Sequence, residues 1–147
     1  MTTKSIKQRQ EEFDEWVDSI DDFIEIALDL VPENICKQMD YSIQSLTILE
    51  QYLLANYTSE QFQSIENKEL LGGLAAYFGE TARQNAVNGY WSIDLVNKKN
   101  AYYNLPVMVS EKVKFTISPY QLIVSSFYRN TGTFLSTIAT NFVEYSK

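Results

Sequence analysis

Asn67-Lys-Glu-Leu-Leu-Gly-Gly-Leu-Ala-Ala-Tyr-Phe-Gly-Glu-Thr-Ala-Arg-Gln-Asn-Ala-Val-Asn-Gly-Tyr-Trp91 is the stretch on which the fold turns. Its spacing predicts a helix over Lys68 to Val87. At about 100° per residue, Gly72, Ala76, Gly79, Arg83 and Ala86 fall on one side, with Ala75 and Ala82 beside them. Leu71, Leu74 and Phe78 form the next sector. Small and apolar residues together cover more than half the circumference, the pattern of a central helix packed on two sides. Each glycine inside a helix costs roughly 1 kcal/mol against alanine. Close approach of another element offsets such a cost, so the small-residue side is expected to pack against another helix. Asn67 is placed to cap the start and Asn88-Gly89 to end the helix.

Two polar residues of this helix, Glu80 and Arg83, stand one turn apart. They read either as an i, i+3 ion pair on a solvated flank or, with Tyr90 and Trp91 nearby, as the wall of a cleft that binds or transforms a small molecule.

Outward from the central helix, the N-terminal part reads as one amphipathic helix over residues 4 to 31. Phe13, Trp16, Val17, Ile20, Phe23, Ile24, Ala27, Leu28 and Val31 keep three-four spacing until Pro32 stops it. Residues 33 to 41 form a connector carrying Cys36, which reads as a small packing residue. A second helix runs from about Ser42 to Asn56, capped by Asp40 or Ser42. Thr58-Ser-Glu-Gln61 has the form of a capping box opening a short helical turn.

After Gly89 the period changes to two. Trp91, Ile93 and Leu95 alternate with polar or outward residues, Asn97 to Asn100 is a turn, and Ala101 to Val109 is a second strand interrupted by Pro106. Val113, Phe115 and Ile117 make a third. Three strands joined by short turns predict an antiparallel meander. Ser118-Pro119 opens a helix to about Arg129, Asn130 to Gly132 break it, and Thr133 caps a last one. The expected fold is α+β in a single domain over 1–147: N-terminal helices, central helix, three-stranded antiparallel meander and C-terminal helical pair. Tyr90, Tyr102, Tyr103, Tyr120 and Tyr128 gather around the expected sheet, as a pocket lining or as the amphipathic rim of the core.

Composition limits the function. Of 147 residues, 45% are hydrophobic, which supports a packed core. The chain has no histidine and one cysteine. Ser-His-Asp and Cys-His catalysis, histidine metal sites and cysteine-rich zinc sites are thereby excluded. No phosphate loop, nucleophile elbow or EF-hand loop is present, so neither cofactor nor metal is expected. No apolar run nears the roughly 18 residues that span a bilayer. Met1 to Arg9 lack the apolar stretch of a signal peptide. A lone cysteine forms no internal disulfide, and the expected setting is cytoplasmic.

The net charge of -7 is unevenly spread. Ten of nineteen acidic residues lie at positions 11, 12, 14, 15, 18, 21, 22, 25, 29 and 33, with no lysine or arginine among them. The remaining residues hold twelve basic and nine acidic side chains, a net +3, too little for a nucleic-acid-binding face. The acidic helix reads as a solvated surface or as a docking surface for a basic protein, with Asp18, Asp21, Asp22 and Glu25 as its candidate binding residues.

The runs Ala76-Tyr-Phe-Gly-Glu80 and Gly89-Tyr-Trp91, followed by strands and by Pro119 opening a helix, resemble a pattern in small bacterial α+β proteins. There, a helix with an aromatic-x-Gly-Glu motif leads through a Gly-x-Trp turn into a small sheet, and some members resemble immunity proteins of toxin systems. The resemblance spans about residues 67 to 130, leaves the acidic helix outside and brings no catalytic residue. It implies a non-enzymatic protein-binding or regulatory role. The other functions open to the sequence are an enzyme or small-molecule binder at Glu80 and Arg83, and a homo-oligomeric structural protein.

Overall fold

The computed structural model describes residues 3–147; Met1 and Thr2, part of the N-terminal segment read for a signal peptide, lie outside it. Eight α-helices and a two-stranded sheet make an α+β fold among these residues. In chain order they are α1 (Ile6–Asp18), α2 (Ile20–Asp29), α3 (Glu33–Cys36), α4 (Ile43–Asn56), α5 (Ser59–Phe62), a 3-10 turn (Ile65–Asn67), α6 (Lys68–Asn85), β1 (Gly89–Ser92), β2 (Val107–Ser110), α7 (Pro119–Arg129) and α8 (Phe134–Ser146). No described helix is long and apolar enough to cross a membrane.

Helix α6 is central because little of its surface is left for solvent: twelve of its eighteen residues are buried. It packs against α2, α4, α7 and α8 and touches both strands. Leu70, Leu74, Tyr77 and Phe78 fill the core with Leu46, Leu49, Leu53, Ile123, Leu135 and Phe142. Tyr77 is wholly buried, yet its hydroxyl accepts from the Tyr41 N–H at 3.0 Å and shares a 2.7 Å hydrogen bond with Ser45 Oγ. That satisfaction is what permits a phenol in the core.

The glycines of α6 divide the expected close approach between two partners. At Gly73 a Cβ would run into Ala27 Cβ and the Phe23 carbonyl oxygen, so this is where α2 comes against the helix. At Gly79 a Cβ would run into the Trp91 ring, with Pro119 Cγ at 3.1 Å. The small side at Gly79 therefore receives an indole from β1 together with the first residue of α7. A Cβ at Gly72 would meet nothing within 4 Å.

The single helix expected over residues 4 to 31 is two. Ser19 has φ -101° and ψ 5°, and its N–H is divided between the Glu15 and Trp16 carbonyls at 3.0 and 3.1 Å. Serine is a weaker helix former than alanine or leucine, and the Ser19 hydroxyl makes no cap hydrogen bond to α2. The break lets α2 lie on α6 while α1 crosses to the loop after β1, where Arg9 Nη1 donates to Tyr103 Oη at 2.7 Å.

The three-stranded meander is replaced by a two-stranded antiparallel ladder, with Gly89 opposite Ser110 and Ser92 opposite Val107. Residues 93–106 form a loop gathered on Asp94. Its Oδ1 accepts from the Val96 and Asn97 N–H groups at 2.9 and 3.0 Å, and its Oδ2 from Asn100 Nδ2 at 2.9 Å. Asn104 has φ 61° and Pro106 lacks an N–H, so the chain here cannot carry a ladder. The expected third strand keeps one bridge, between Met108 and Ile117, with bonds of 2.8 and 3.1 Å. Phe115 turns instead onto Phe142 and Tyr145 of α8. Of the three alternating apolar residues, Ile117 is buried and keeps the bridge, whereas Phe115 stays 39% exposed against the α8 rings.

Among the caps, Ser42 and Thr58 act as read, accepting from Ser45 N and Gln61 N at 3.1 Å. Thr133 does not: its hydroxyl makes no cap hydrogen bond. Asn67 and Ser118 make none either. After α6 the helix closes at Ala86, and Asn88, with φ 52°, takes the left-handed turn into β1.

Candidate functional site

The two short motifs meet in space. Helix α6 brings Gly79 and Glu80 under the strand that carries Gly89 and Trp91. The absent side chain at Gly79 makes room for the indole, and Trp91 Nε1–H then donates to Glu80 Oε1 at 2.9 Å. One turn on, Arg83 Nε and Nη2 both donate to Glu80 Oε2, at 2.8 and 2.7 Å. Both carboxylate oxygens are thus occupied, and Glu80 is only 6% exposed. Burial pushes its carboxyl up, but the Arg83 hydrogen bond, the Trp91 N–H and the Arg83 charge together outweigh burial and hold it below the usual carboxylate range. The Glu80 hydrogen bond correspondingly raises Arg83. Gly89 lies against the Arg83 backbone, where a Cβ would come within 3.2 Å of its Cα.

All four residues of the sequence-derived cleft, Glu80, Arg83, Tyr90 and Trp91, border one open depression of about 530 Å³ together with Asp21 and Gln84. Arg83 keeps 41% of its side chain exposed there. Asp21 therefore belongs both to the acidic helix pair and to this depression. Chemically, the depression offers a half-exposed guanidinium, a carboxylate at Asp21 and the Tyr90 ring; Glu80 is committed to its neighbours.

The ten acids between Glu11 and Glu33 are all exposed. Glu12 pairs with Lys4 at 2.7 Å and Glu33 with Lys37 at 3.3 Å; the other eight, including Asp18, Asp21, Asp22 and Glu25, make no ion pair among the described residues. The charges sit on the face opposite Phe13, Ile20, Ile24 and Ala27, which are buried. The tyrosines do not form one group. Tyr90, Tyr120 and Tyr128 are exposed, and Tyr102 and Tyr103 are half-buried in the 93–106 loop. Cys36 is half-buried beside the core.

One buried acid escaped sequence reasoning. Glu50 of α4 is fully buried, and its carboxylate accepts the Leu135 and Phe134 N–H groups at 2.7 and 3.1 Å. It caps α8 from another helix, the task expected of Thr133. Its sequence signal is a carboxylate inside the apolar stripe of α4, four residues after Leu46 and three before Leu53. Among the described residues, no group of three or more His, Cys, Asp or Glu side chains is arranged to hold a metal ion.

No protein-family model, curated protein or solved structure matches the chain.

Proposed function

We propose that this chain is a non-enzymatic protein-binding module, immunity-type or regulatory, whose acidic α1–α2 surface receives a basic protein. The observation that carries this reading is the eight exposed acids on two consecutive helices without an ion-pair partner among the described residues. Like charges at this density repel one another, and opposite charge on a partner would relieve that repulsion and speed encounter. The committed state of Glu80 supports the same reading: a carboxylate with both oxygens engaged and its pKa lowered is a poor proton shuttle. A cytoplasmic setting belongs to this reading and is supported by the single cysteine.

The test is capture from the native host at low and high salt, with the parent and with Asp18, Asp21, Asp22 and Glu25 changed together to their amides. The expected result is a basic protein retained by the parent at low salt and lost with the four changes. A partner indifferent to salt and to those changes would leave the acids as a solvated helix surface.

A second reading, a small-molecule site, has one observation in its favour: Asp21, Arg83 and Tyr90 border one depression. Arg83 is its natural anion-binding group. A ligand whose affinity drops at least tenfold in Arg83→Ala, in protein that keeps its fold, would promote this reading. Screening that yields no such ligand would retire it.

A further inference from the structure

Exposed apolar residues of α2 and its C-cap share one face: Phe23, Ile26 and the capping Leu30 are 38%, 44% and 55% exposed. Phe23 and Ile26 wall a cavity of about 340 Å³ against α6, with Trp16 at one end and Gly72 and Gly73 as its floor. Trp16 and Gly72 also border a second cavity of about 190 Å³, which continues past Ala76 to Trp91 and Tyr120. Together they make one apolar groove running from α2 across α6 to the start of α7. Contiguous exposed apolar surface of this kind marks interaction sites.

The floor of the groove has its own anomaly. Gly72 lies inside α6, where glycine is a markedly poorer helix former than alanine. Gly73 and Gly79 are needed for Phe23, Ala27 and Trp91, but Gly72 makes room for nothing among the described residues. Its missing side chain keeps the groove open.

Charge on the rim selects the occupant. Asp22 and Asp29 stand four residues before and three after Ile26, hence on its face of α2, and both are exposed. Glu69 adds a further acid on the α6 wall, against one cation there, Lys68. Burying this face against a second copy would bring two acidic rims together. We propose that the groove seats an apolar side chain carried on a basic segment of a partner protein, with Asp22 and Asp29 receiving the flanking cations. The proposal rests on the acidic-surface reading above and adds the apolar anchor to it. The mode is an amphipathic segment laid in a groove, apolar side down and basic side to the rim.

The protein supplies its own reporter, because both of its tryptophans, Trp16 and Trp91, border the groove, with ring centroids 5.0 Å apart. The probes are an amphipathic leucine-lysine peptide, a lysine-glycine peptide of equal charge, and a leucine-glutamate peptide. Tryptophan fluorescence gives affinity, and amide chemical shifts locate binding. The leucine-lysine peptide should shift the tryptophan emission and the Gly72, Gly73 and Phe23 amides, and should bind at least tenfold tighter than the lysine-glycine peptide. Gly72→Leu, whose side chain enters open space, should keep the fold and lose that advantage. Equal binding of both lysine peptides, with shifts confined to the acids and no effect of Gly72→Leu, would overturn the groove and leave the acidic surface standing. No binding of either lysine peptide at low salt would overturn both. Concentration-dependent self-association that perturbs Gly72 would make a second copy the occupant and overturn the basic-partner assignment, as would tighter binding of the leucine-glutamate peptide.

Discussion

Glycines seven residues apart in one helix have opposite roles. Gly79→Ala puts a Cβ where the Trp91 ring lies. The ring must move, and the Trp91–Glu80 hydrogen bond goes with it. We expect a loss of about 1–3 kcal/mol in urea denaturation. Gly72→Ala meets no neighbour and should gain roughly 1 kcal/mol from helix propensity. Equal changes of the same sign at both positions would contradict this assignment. Glu80 supplies a pH-dependent counterpart. Its folded carboxyl lies below the unfolded value near 4.5, so the unfolded chain binds the extra proton in that window. The contribution of Glu80 is therefore complete above about pH 4.5 and lost as pH falls through the folded pKa. In Glu80→Gln that part of the acid dependence should vanish, with a loss of about 1–3 kcal/mol at neutral pH because the Arg83 charge is left without its carboxylate. Parallel stability-against-pH curves for parent and variant would refute the assignment.

At the level of elements, α8 is held by a cap from α4. Glu50→Ala leaves the Phe134 and Leu135 N–H groups without an acceptor and should cost about 1–3 kcal/mol. Thr133→Ala, at an exposed hydroxyl with no cap bond, should stay within about 0.5 kcal/mol of the parent. The reverse order in thermal or urea denaturation would restore the sequence-based cap. This pair also marks what the sequence made legible. Helices with a chemical sign at their start were readable: Ser42 for α4, Thr58 with Gln61 for α5, and Pro119 for α7. Elements decided by distant partners were not. Glu50 stands inside the apolar stripe of α4, but the N–H groups it serves are unknown until α8 is placed over it. Val113, Phe115 and Ile117 alternate like a strand, but α8 gives Phe115 aromatic neighbours. The apolar stripe runs unbroken through Ser19, so only the competing demands of α6 and the 93–106 loop reveal the break. Glu80, Arg83, Tyr90 and Trp91 were legible as neighbours, since helix spacing and a tight turn bring them together. That Glu80 has both oxygens engaged needed the Trp91 ring in place.

For the molecule as a whole, ten exposed acids are gathered on α1, α2 and the start of α3 of a well-packed α-rich body. Among the described residues its eight unpaired acids gain nothing from ion pairing and repel one another over a Debye length of about 8 Å at physiological ionic strength. Changing Asp18, Asp21, Asp22 and Glu25 to amides should leave stability equal or slightly higher, most visibly at low salt, and calorimetry at two salt concentrations checks this. A clear loss of stability would mean that these acids hold the fold. The central claim, that the acidic face meets a basic protein, is tested most directly by the association rate with the captured partner as a function of ionic strength. The parent should associate fast at low salt and slow steeply as salt rises, while the four-amide variant starts slower and changes little. Identical rates for the two proteins across the salt series would contradict the claim.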